Sequence, residues 1–166
     1  SPTTWPASFA ACASGGTIMP HHAALSALAV MLVASAPAEA TCLAEAIYYE
    51  ARNEPINGQI AVAQVVLNRR QSPKHPQTLC AIVYQRKGNT CQFSWACNPR
   101  LLSKPKDPLQ WAIAQQVAAF ALKGLPDKAK GATYFHAAYV KPNWRHLQRT
   151  GQIGKHVFYR ERNPKR

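Results

Sequence analysis

The sequence predicts a mainly α-helical domain of the α+β class with a small β element. Apolar residues recur every three to four positions over 42–51 and 55–69, which is the period of an amphipathic helix. A further helix with clear end signals begins near residue 107. Two segments near the C-terminus, 132–137 and 154–160, alternate in polarity and are rich in aromatic residues, as β-strands are.

The composition fits a single folded domain. The chain has 166 residues, of which 47% are apolar, and its 20 Lys and Arg against 7 Asp and Glu give a net charge of +13. The apolar and aromatic content excludes a wholly disordered chain. No apolar run reaches the roughly 18 to 20 residues of a membrane span. The basic balance favours an acidic partner, which would be nucleic acid, anionic lipid or an acidic cell-envelope polymer.

Residues 1–40 are a different kind of sequence from the rest. They contain no Lys or Arg and one acid, Glu39. Met19 is followed by two histidines and an apolar run over 23–34, and the segment closes on an Ala-x-Ala triplet. A short apolar core followed by a small-x-small site is the pattern of a secretory signal peptide.

This pattern divides the chain into three parts. Residues 19–40 are the predicted signal peptide, with cleavage before Thr41, and a buried core helix is the alternative for the apolar run. Residues 1–18 are interpreted as an upstream segment or expression remnant without structure. Residues 41–166 are the predicted mature domain, exported to the periplasm or the extracellular space, with a net charge of +14.

Four cysteines lie in the predicted mature domain: Cys42, Cys80, Cys91 and Cys97. An even number in a small exported domain suggests disulfides, and four cysteines allow three pairings. Because Cys91 and Cys97 close a short loop, we favour that pair together with Cys42–Cys80. The alternative is a zinc site, but Cys-x5-Cys spacing fits zinc poorly, and no metal is expected.

Glu50 is the carboxylate that points most directly to chemistry. It follows Leu43, Ala46 and Ile47 on one face of the first predicted helix, 42–51. Burial on that face would disfavour the ionised form and raise the pKa. A carboxylic acid that is neutral near pH 7 is what a glycosidase needs to protonate a leaving-group oxygen. The alternative is a helix-end glutamate that turns outward to solvent.

A second catalytic carboxylate is not evident. Glu54 follows Glu50 by one turn, but Pro55 disfavours a continuous helix. We therefore interpret Glu54 as a first-turn acid of the second helix, where the helix dipole favours it. Asp107 is used as a helix cap. This pattern disfavours the two-carboxylate scheme of glycosidases and favours a substrate that supplies its own nucleophile.

The remaining elements follow in order. The second helix covers 55–69 and a short third helix covers 78–85, whereas residues 86–106 are expected to be irregular. The fourth helix has Asp107 as N-cap and Pro108 at its first position. Its predicted inner stripe consists of Leu109, Ile113, Val117 and Phe120.

Several polar and aromatic side chains are candidates for substrate binding: Gln92, Phe93, Ser94, Tyr134, His136 and His156. The first three lie inside the loop between the last two cysteines, where a disulfide would stiffen an edge suited to a sugar face. An ordinary loop with buried aromatic residues is the alternative. The others alternate along the two strand-like segments. The histidines lack metal-ligand spacing, and the chain has no phosphate-binding or dinucleotide motif, so no cofactor is expected.

Five motifs in one order carry a resemblance to a known family. They occupy residues 44–55, 58–69, 91–94, 132–136 and 153–159. Over residues 42–160 the chain resembles the SleB/CwlJ-like cell wall hydrolases of the spore-cortex-lytic type. The resemblance implies a lysozyme-like catalytic domain that acts on peptidoglycan. The sequence departs from the family at Asn53, where a Gly is usual, and Asn tolerates the left-handed turn that Gly would make.

The resemblance also implies a site and a chemistry. Glu50 is the family's catalytic acid, and the family is associated with lytic transglycosylase activity. The acid protonates the glycosidic oxygen of the MurNAc-GlcNAc β-1,4 bond and then acts as a base while the C6 hydroxyl closes a 1,6-anhydro ring. Gln92, Phe93 and Ser94 would line the cleft. Tyr134 and His136 would face the sugar near the acid, and His156 would position substrate or hold the last strand.

The leading hypothesis is thus an exported, monomeric, peptidoglycan-cleaving glycosidase. Its partners would be glycan strands and the anionic cell envelope. The alternatives are a peptidoglycan-binding protein without activity and a lysozyme-type hydrolase, either a muramidase or a glucosaminidase. Nucleic-acid binding is disfavoured because the basic residues are dispersed and no recognition signature is present.

Overall fold

A computed structural model describes residues 38–162, which form five helices, a 3-10 turn and two small sheets. The proposed upstream segment 1–18, residues 19–37 of the predicted signal peptide and the last four residues lie outside the described residues. The helices are α1 (38–51), α2 (Ile56–Gln71), α3 (Leu79–Val83), α4 (Pro99–Leu102) and α5 (Pro108–Leu122), and the 3-10 turn is Ser94–Cys97. No helix within 38–162 is both long enough and apolar enough to span a membrane.

Helix α1 already includes residue 38, the first described residue, which lies four residues before the predicted start. The Glu39 carboxylate accepts the backbone N–H of Leu79 at 2.6 Å, next to the start of α3. Cleavage is predicted before Thr41 and would remove Glu39, so the cleaved domain would lose this hydrogen bond. The cleavage site and the division into three parts stay predictions.

Helix α2 is buried on two sides, and both parts of the core form around it. Ala63 and Val66 pack with α1, α3 and α5 in the larger apolar cluster. Val62 and Val65 pack instead with Phe158 of the sheet in the smaller one. Because one helix supplies both clusters, the sheet and the helical part share a common wall.

Helix α5 confirms the predicted cap and corrects the predicted inner stripe. The Asp107 side chain accepts the N–H of Gln110 at 2.8 Å, and Pro108 opens the helix. However, Leu109 is 67% exposed and Phe120 is 55% exposed. Val117 is buried as predicted and Ile113 is partly buried against the core, but the rest of the buried face is made of Ala114, Ala118 and Ala121. A face of small residues packs closely against α2, which turns the larger side chains at both ends of the predicted stripe toward solvent.

The strands form two antiparallel sheets. They are β1 (Arg86–Lys87), β2 (Thr90–Cys91), β3 (Tyr134–Ala137), β4 (Leu147–Ile153) and β5 (His156–Glu161). Strands β1 and β2 pair as a hairpin, and the other sheet has the order β3-β5-β4. Strands β3 and β5 confirm the two predicted strand segments. Strand β4 and the β1–β2 hairpin were not predicted, because β4 is largely polar and lies at the sheet edge, where it buries only Leu147 fully.

Two disulfides confirm the favoured pairing and exclude zinc ligation by these cysteines. Cys42–Cys80 joins α1 to α3, with a Cα–Cα distance of 5.1 Å. Cys91–Cys97 joins β2 to the 3-10 turn, with a Cα–Cα distance of 5.8 Å. The first bridge spans 38 residues and the second spans 6.

The two disulfides are expected to stabilise the fold unequally. Loop-closure entropy gives about 4 kcal/mol for the longer bridge and about 2 kcal/mol for the shorter one. Replacing both Cys42 and Cys80 by Ser should therefore lower the free energy of unfolding in urea more than replacing Cys91 and Cys97. An equal or reversed order would contradict the prediction.

Candidate active site

A cleft between the helical part and the three-stranded sheet consists of two adjoining hollows. The corner hollow, of about 240 Å³, is lined by the corner between α1 and α2, including Arg52 and Glu54. The loop hollow, of about 400 Å³, is lined by the disulfide-closed loop and by β3. Glu50 and His156 line both. Glu50 therefore lies where the hollows meet, at the place where a bound chain would pass from one to the other.

Glu50 reaches this position because it ends the apolar face of α1. Leu43, Ala46 and Ile47 on that face are fully buried, and the Glu50 side chain follows them inward. Burial raises the pKa of the Glu50 carboxyl. The indole N–H of Trp95 and the positive charge of Arg69 oppose that rise. The outward-facing alternative for Glu50 is thus not what the structure shows.

The stacked rings of Trp95 and Tyr49 lie beside the Glu50 carboxyl. Trp95 is 4% exposed and stacks on Tyr49, with 4.4 Å between ring centroids. Its Nε1 lacks a hydrogen-bond partner of ordinary geometry among residues 38–162, although it lies near enough to Glu50 to affect the carboxyl pKa. Stacking fixes the indole plane, so the N–H is held in place near the Glu50 carboxyl.

Arg69 is a cleft residue that the sequence interpretation treated only as the end of a helix. It lines the loop hollow and is 2% exposed. Its Nε donates to the Thr133 carbonyl at 2.8 Å, and its guanidinium carbon lies 5.3 Å from the centroid of the Phe93 ring. Burial lowers the Arg69 pKa to about 10, against the opposing influence of Tyr134 and Glu50. A signal was available, because position 69 continues the buried face of Val62 and Val65.

The disulfide loop brings its three candidates to the loop hollow as a unit. Gln92 and Ser94 are exposed at its surface, whereas Phe93 is 3% exposed and packs near Phe135. The Gln92 N–H donates to the Gln85 carbonyl at 2.8 Å, which extends the β1–β2 hairpin. Polar groups thus face the opening, and an aromatic ring lies below them.

The structure separates the two candidates on β3. His136 lines the loop hollow, and its ring stacks on Tyr159 with 5.3 Å between centroids. Its Nε2 lies 3.3 Å from the Tyr159 hydroxyl. Tyr134 is not among the lining residues, and its ring instead contacts Trp144. Two residues along a strand amount to roughly 7 Å, so sharing a strand face does not bring Tyr134 to the cleft.

His156 opens β5 and is 8% exposed. Burial lowers its pKa, opposed by the charge of Glu54 and reinforced by His136. The imidazole is therefore neutral at pH 7. Its ring meets Phe135 edge to face, and Nδ1 has no hydrogen-bond partner within residues 38–162. In that same part of the chain, no three His, Cys, Asp or Glu residues group as metal ligands.

Glu54 corrects the prediction of a first-turn acid. Pro55 is the N-cap of α2, and the first turn of that helix has no acidic residue. Glu54 Oε2 instead accepts the backbone N–H of Lys155 at 2.7 Å, in the turn between β4 and β5. Gly154 in this turn has φ +56°, and a Cβ there would lie 1.9 Å from Glu54 Oε2. Pro55 keeps Glu54 out of a helical conformation. The Glu54 carboxylate is therefore able to accept the Lys155 N–H in the β4–β5 turn.

A comparison with protein families adds to this geometry. The model of the cell wall hydrolase family matches residues 53–159. The chain belongs to the cell wall hydrolase family. The matched segment includes the loop, β3 and β5, and it begins three residues after Glu50, so the role of Glu50 is argued separately below.

Two solved structures share the fold of this cell wall hydrolase. The catalytic domain of the germination-specific lytic transglycosylase SleB from Bacillus anthracis has a TM-score of 0.60 and 27% identity, over 74% of this chain and 93% of that one. The catalytic domain of the Bacillus cereus SleB protein has a TM-score of 0.59 and 26% identity, over 74% and 89%. These similarities confirm the predicted α+β fold class.

Curated relatives of this cell wall hydrolase include two spore cortex-lytic enzymes. The Oceanobacillus iheyensis protein is 30% identical over 117 residues, which are 70% of this chain and 39% of that protein. The Bacillus subtilis protein is 28% identical over 117 residues, 70% of this chain and 35% of that protein. The chain therefore spans less than half the length of these relatives.

The raised pKa of Glu50 predicts a pH-dependent gain in stability when the charge is removed. Above the ordinary carboxyl pKa of 4.5, the folded state holds the proton more tightly than the unfolded state, so stability falls as pH rises. Glu50→Gln should match the parent in melting temperature near pH 4 and exceed it near pH 7. Thermal unfolding across that range measures the difference.

Glu161→Gln is the control with the opposite sign. Its exposed carboxylate pairs with Lys74, which lowers the Glu161 pKa. Its replacement should leave the melting temperature at pH 7 unchanged or lower it slightly. If Glu50→Gln behaves like this control, the Glu50 carboxyl does not have a raised pKa.

Proposed function

We propose that this protein cleaves the β-1,4 bond between MurNAc and GlcNAc in peptidoglycan, as a lytic transglycosylase with Glu50 as acid and then base. The observation that carries the proposal is the position of Glu50, a half-buried carboxyl with a raised pKa where two open hollows meet. A polymer that occupies both hollows would place one of its linkages beside the carboxyl. The family and the names of the solved relatives support the substrate class.

In the first step, the protonated Glu50 carboxyl donates its proton to the glycosidic oxygen while the C1–O bond of MurNAc breaks. The leaving GlcNAc keeps the bonding electrons and departs with a 4-hydroxyl group. Positive charge develops on the MurNAc ring as Glu50 becomes a carboxylate. A raised pKa keeps a fraction of Glu50 protonated at neutral pH, which this step requires.

In the second step, the C6 hydroxyl of the same MurNAc attacks C1 and closes the 1,6-anhydro ring. Its proton passes to the Glu50 carboxylate, which restores the starting acid. The two steps consume no water, so no second carboxylate is needed to activate one. Glu54 supports this assignment, because one of its oxygens already accepts the Lys155 N–H.

Substrate binding is assigned to the polar lining of the cleft. Gln92 and Ser94 offer exposed hydrogen-bonding groups, and the buried ring of Phe93 lies below them. His136 and the neutral His156 would hydrogen-bond sugar hydroxyl or acetamido groups. Tyr134 would act indirectly, because its ring contacts Trp144, which in turn contacts the ring of His136.

The charge of the chain fits action outside the cytoplasm on an anionic polymer. Basic Arg86 and Lys87 on the β1–β2 hairpin line a further hollow, which shares Cys91 and Gln92 with the loop hollow. Such a basic rim would attract the acidic groups of a cell envelope and concentrate the enzyme there. Export to the periplasm or the extracellular space, through the predicted signal peptide, belongs to the same proposal.

The alternative chemistry is hydrolysis of the lysozyme type, in which water replaces the C6 hydroxyl. One observation favours it: Glu54 lines the corner hollow together with Glu50. A carboxylate in that place would need to release Lys155 before it could activate water. The products distinguish the two reactions, because only hydrolysis leaves a hydrated reducing end.

Purified protein incubated with peptidoglycan should release 1,6-anhydro-muropeptides, detected by mass spectrometry. Glu50→Gln should lower the rate by about 10²- to 10⁴-fold, the usual contribution of a general acid, while Glu161→Gln should keep the parent rate. Hydrated reducing ends would identify a lysozyme-type hydrolase. Sedimentation with peptidoglycan without released product would identify a binding protein, and full activity of Glu50→Gln would exclude Glu50 as the acid.

A further inference from the structure

Arg69 is a buried cation on the wall of the loop hollow, in the last turn of α2. Its side chain is almost wholly shielded, with 2% exposure. Nε donates to the Thr133 carbonyl of the segment that leads into β3. Nη1 is buried and has no hydrogen-bond partner within residues 38–162. A guanidinium has five N–H donors, and those on Nη1 of Arg69 are shielded from water without an acceptor in this part of the chain.

An incompletely paired guanidinium is costly in the interior of a protein. The titratable groups that interact electrostatically with Arg69 come from three elements: Glu50 on α1, Tyr134 on β3 and His75 after α2. Of the three, Glu50 is the one that carries a carboxyl group, and burial lowers the pKa of His75, whose imidazole cannot supply a negative charge. Glu50 is therefore the neighbour whose ionisation would supply the missing negative charge.

We infer that Arg69 is a positioning residue, which stabilises the Glu50 carboxylate that forms when the proton leaves for the glycosidic oxygen. The inference rests on the proposed function and deepens it. While Glu50 is protonated, no carboxylate within residues 38–162 forms an ion pair with this cation. As the proton moves, an ion pair develops between two groups that are already in place, so the interaction is stronger in the transition state than in the bound state.

The position of Arg69 is fixed independently of Glu50. The Thr133 hydrogen bond and the ring of Phe93 hold the guanidinium from two sides. A cation that is already oriented needs no rearrangement when the charge appears, which is the condition for efficient electrostatic stabilisation. The other charged or titratable groups that line the cleft with Glu50 are Tyr49, Arg52, Glu54, Tyr139, Lys155, His136 and His156.

A purely structural role makes different predictions. Arg69 joins α2 to the start of β3, and loss of that bond alone would lower stability without changing the titration of Glu50. The pH profile of the reaction separates the two roles. The alkaline limb of kcat/KM reports the deprotonation of the essential acid in the free enzyme.

The test compares Arg69→Gln and Arg69→Lys with Arg70→Gln, measured as kcat/KM against pH on glycan strands from peptidoglycan. Arg70 is the matched control, because it is the next residue on α2 but lines a different hollow. Loss of the cation disfavours the carboxylate, so Arg69→Gln should move the alkaline limb to higher pH and lower the plateau by about 10- to 100-fold. Arg69→Lys should move the limb less, and Arg70→Gln should not move it. A folded Arg69→Gln variant with the parent limb would overturn the inference.

A second measurement leaves Arg69 unchanged and requires no activity. The side-chain NMR signals of Arg69 in the parent should titrate with the same midpoint as the Glu50 carboxyl, and this titration should be absent in Glu50→Gln. A flat Arg69 signal in the parent would refute the coupling even if Arg69→Gln fails to fold. Failure of the proposed function is a different result, since it would appear as missing anhydro products or as an active Glu50→Gln variant.

Discussion

The burial of the Glu50 carboxyl is the constraint on which the candidate site depends. The same apolar face that packs α1 into the core takes this carboxyl partly out of water at its last turn. Packing and reactivity are therefore properties of one helix face. The next residue, Ala51, is 1% exposed and lines neither hollow, so a shift of one position along α1 would remove the carboxyl from the cleft.

Two polar links hold the sheet against the helices on either side of the carboxyl. Arg69 reaches from α2 to the Thr133 carbonyl, and Glu54 reaches from the α1–α2 corner to the Lys155 N–H. The first link borders the loop hollow and the second borders the corner hollow. Both links are side-chain contacts to backbone groups, which restrain the relative position of sheet and helices more specifically than apolar packing alone.

The sequence was informative where local patterns determine structure. The helix stripe that ends at Glu50, the cap at Asp107 and the short loop between Cys91 and Cys97 are all local features, and the structure confirms each. These patterns depend on residues no more than about two turns apart.

The errors arose where the partner is distant in sequence. Glu54 accepts a hydrogen bond from Lys155, 101 residues away in sequence, and Arg69 donates one to Thr133, 64 residues away. No local pattern could reveal either contact. The buried face of α5 was misjudged for a related reason. Its larger side chains define the strongest stripe, yet close approach to α2 selects the alanines. Strand β4 is polar because it lies at an edge, and pairing with β5 alone makes it a strand.

In the proposed reaction Glu50 acts first as an acid and then as a base. Its pKa must therefore be high enough to hold a proton and low enough to release it. Burial alone would favour the protonated form of Glu50 and make transfer of its proton less favourable. The indole N–H of Trp95 and the charge of Arg69 act in the opposite direction and stabilise the carboxylate once it forms. Neither group is held by Glu50 itself, since Trp95 stacks on Tyr49 and Arg69 bonds Thr133. The opposing influences are therefore built into the scaffold, so that the proton can leave Glu50 and return without a change in the surrounding structure.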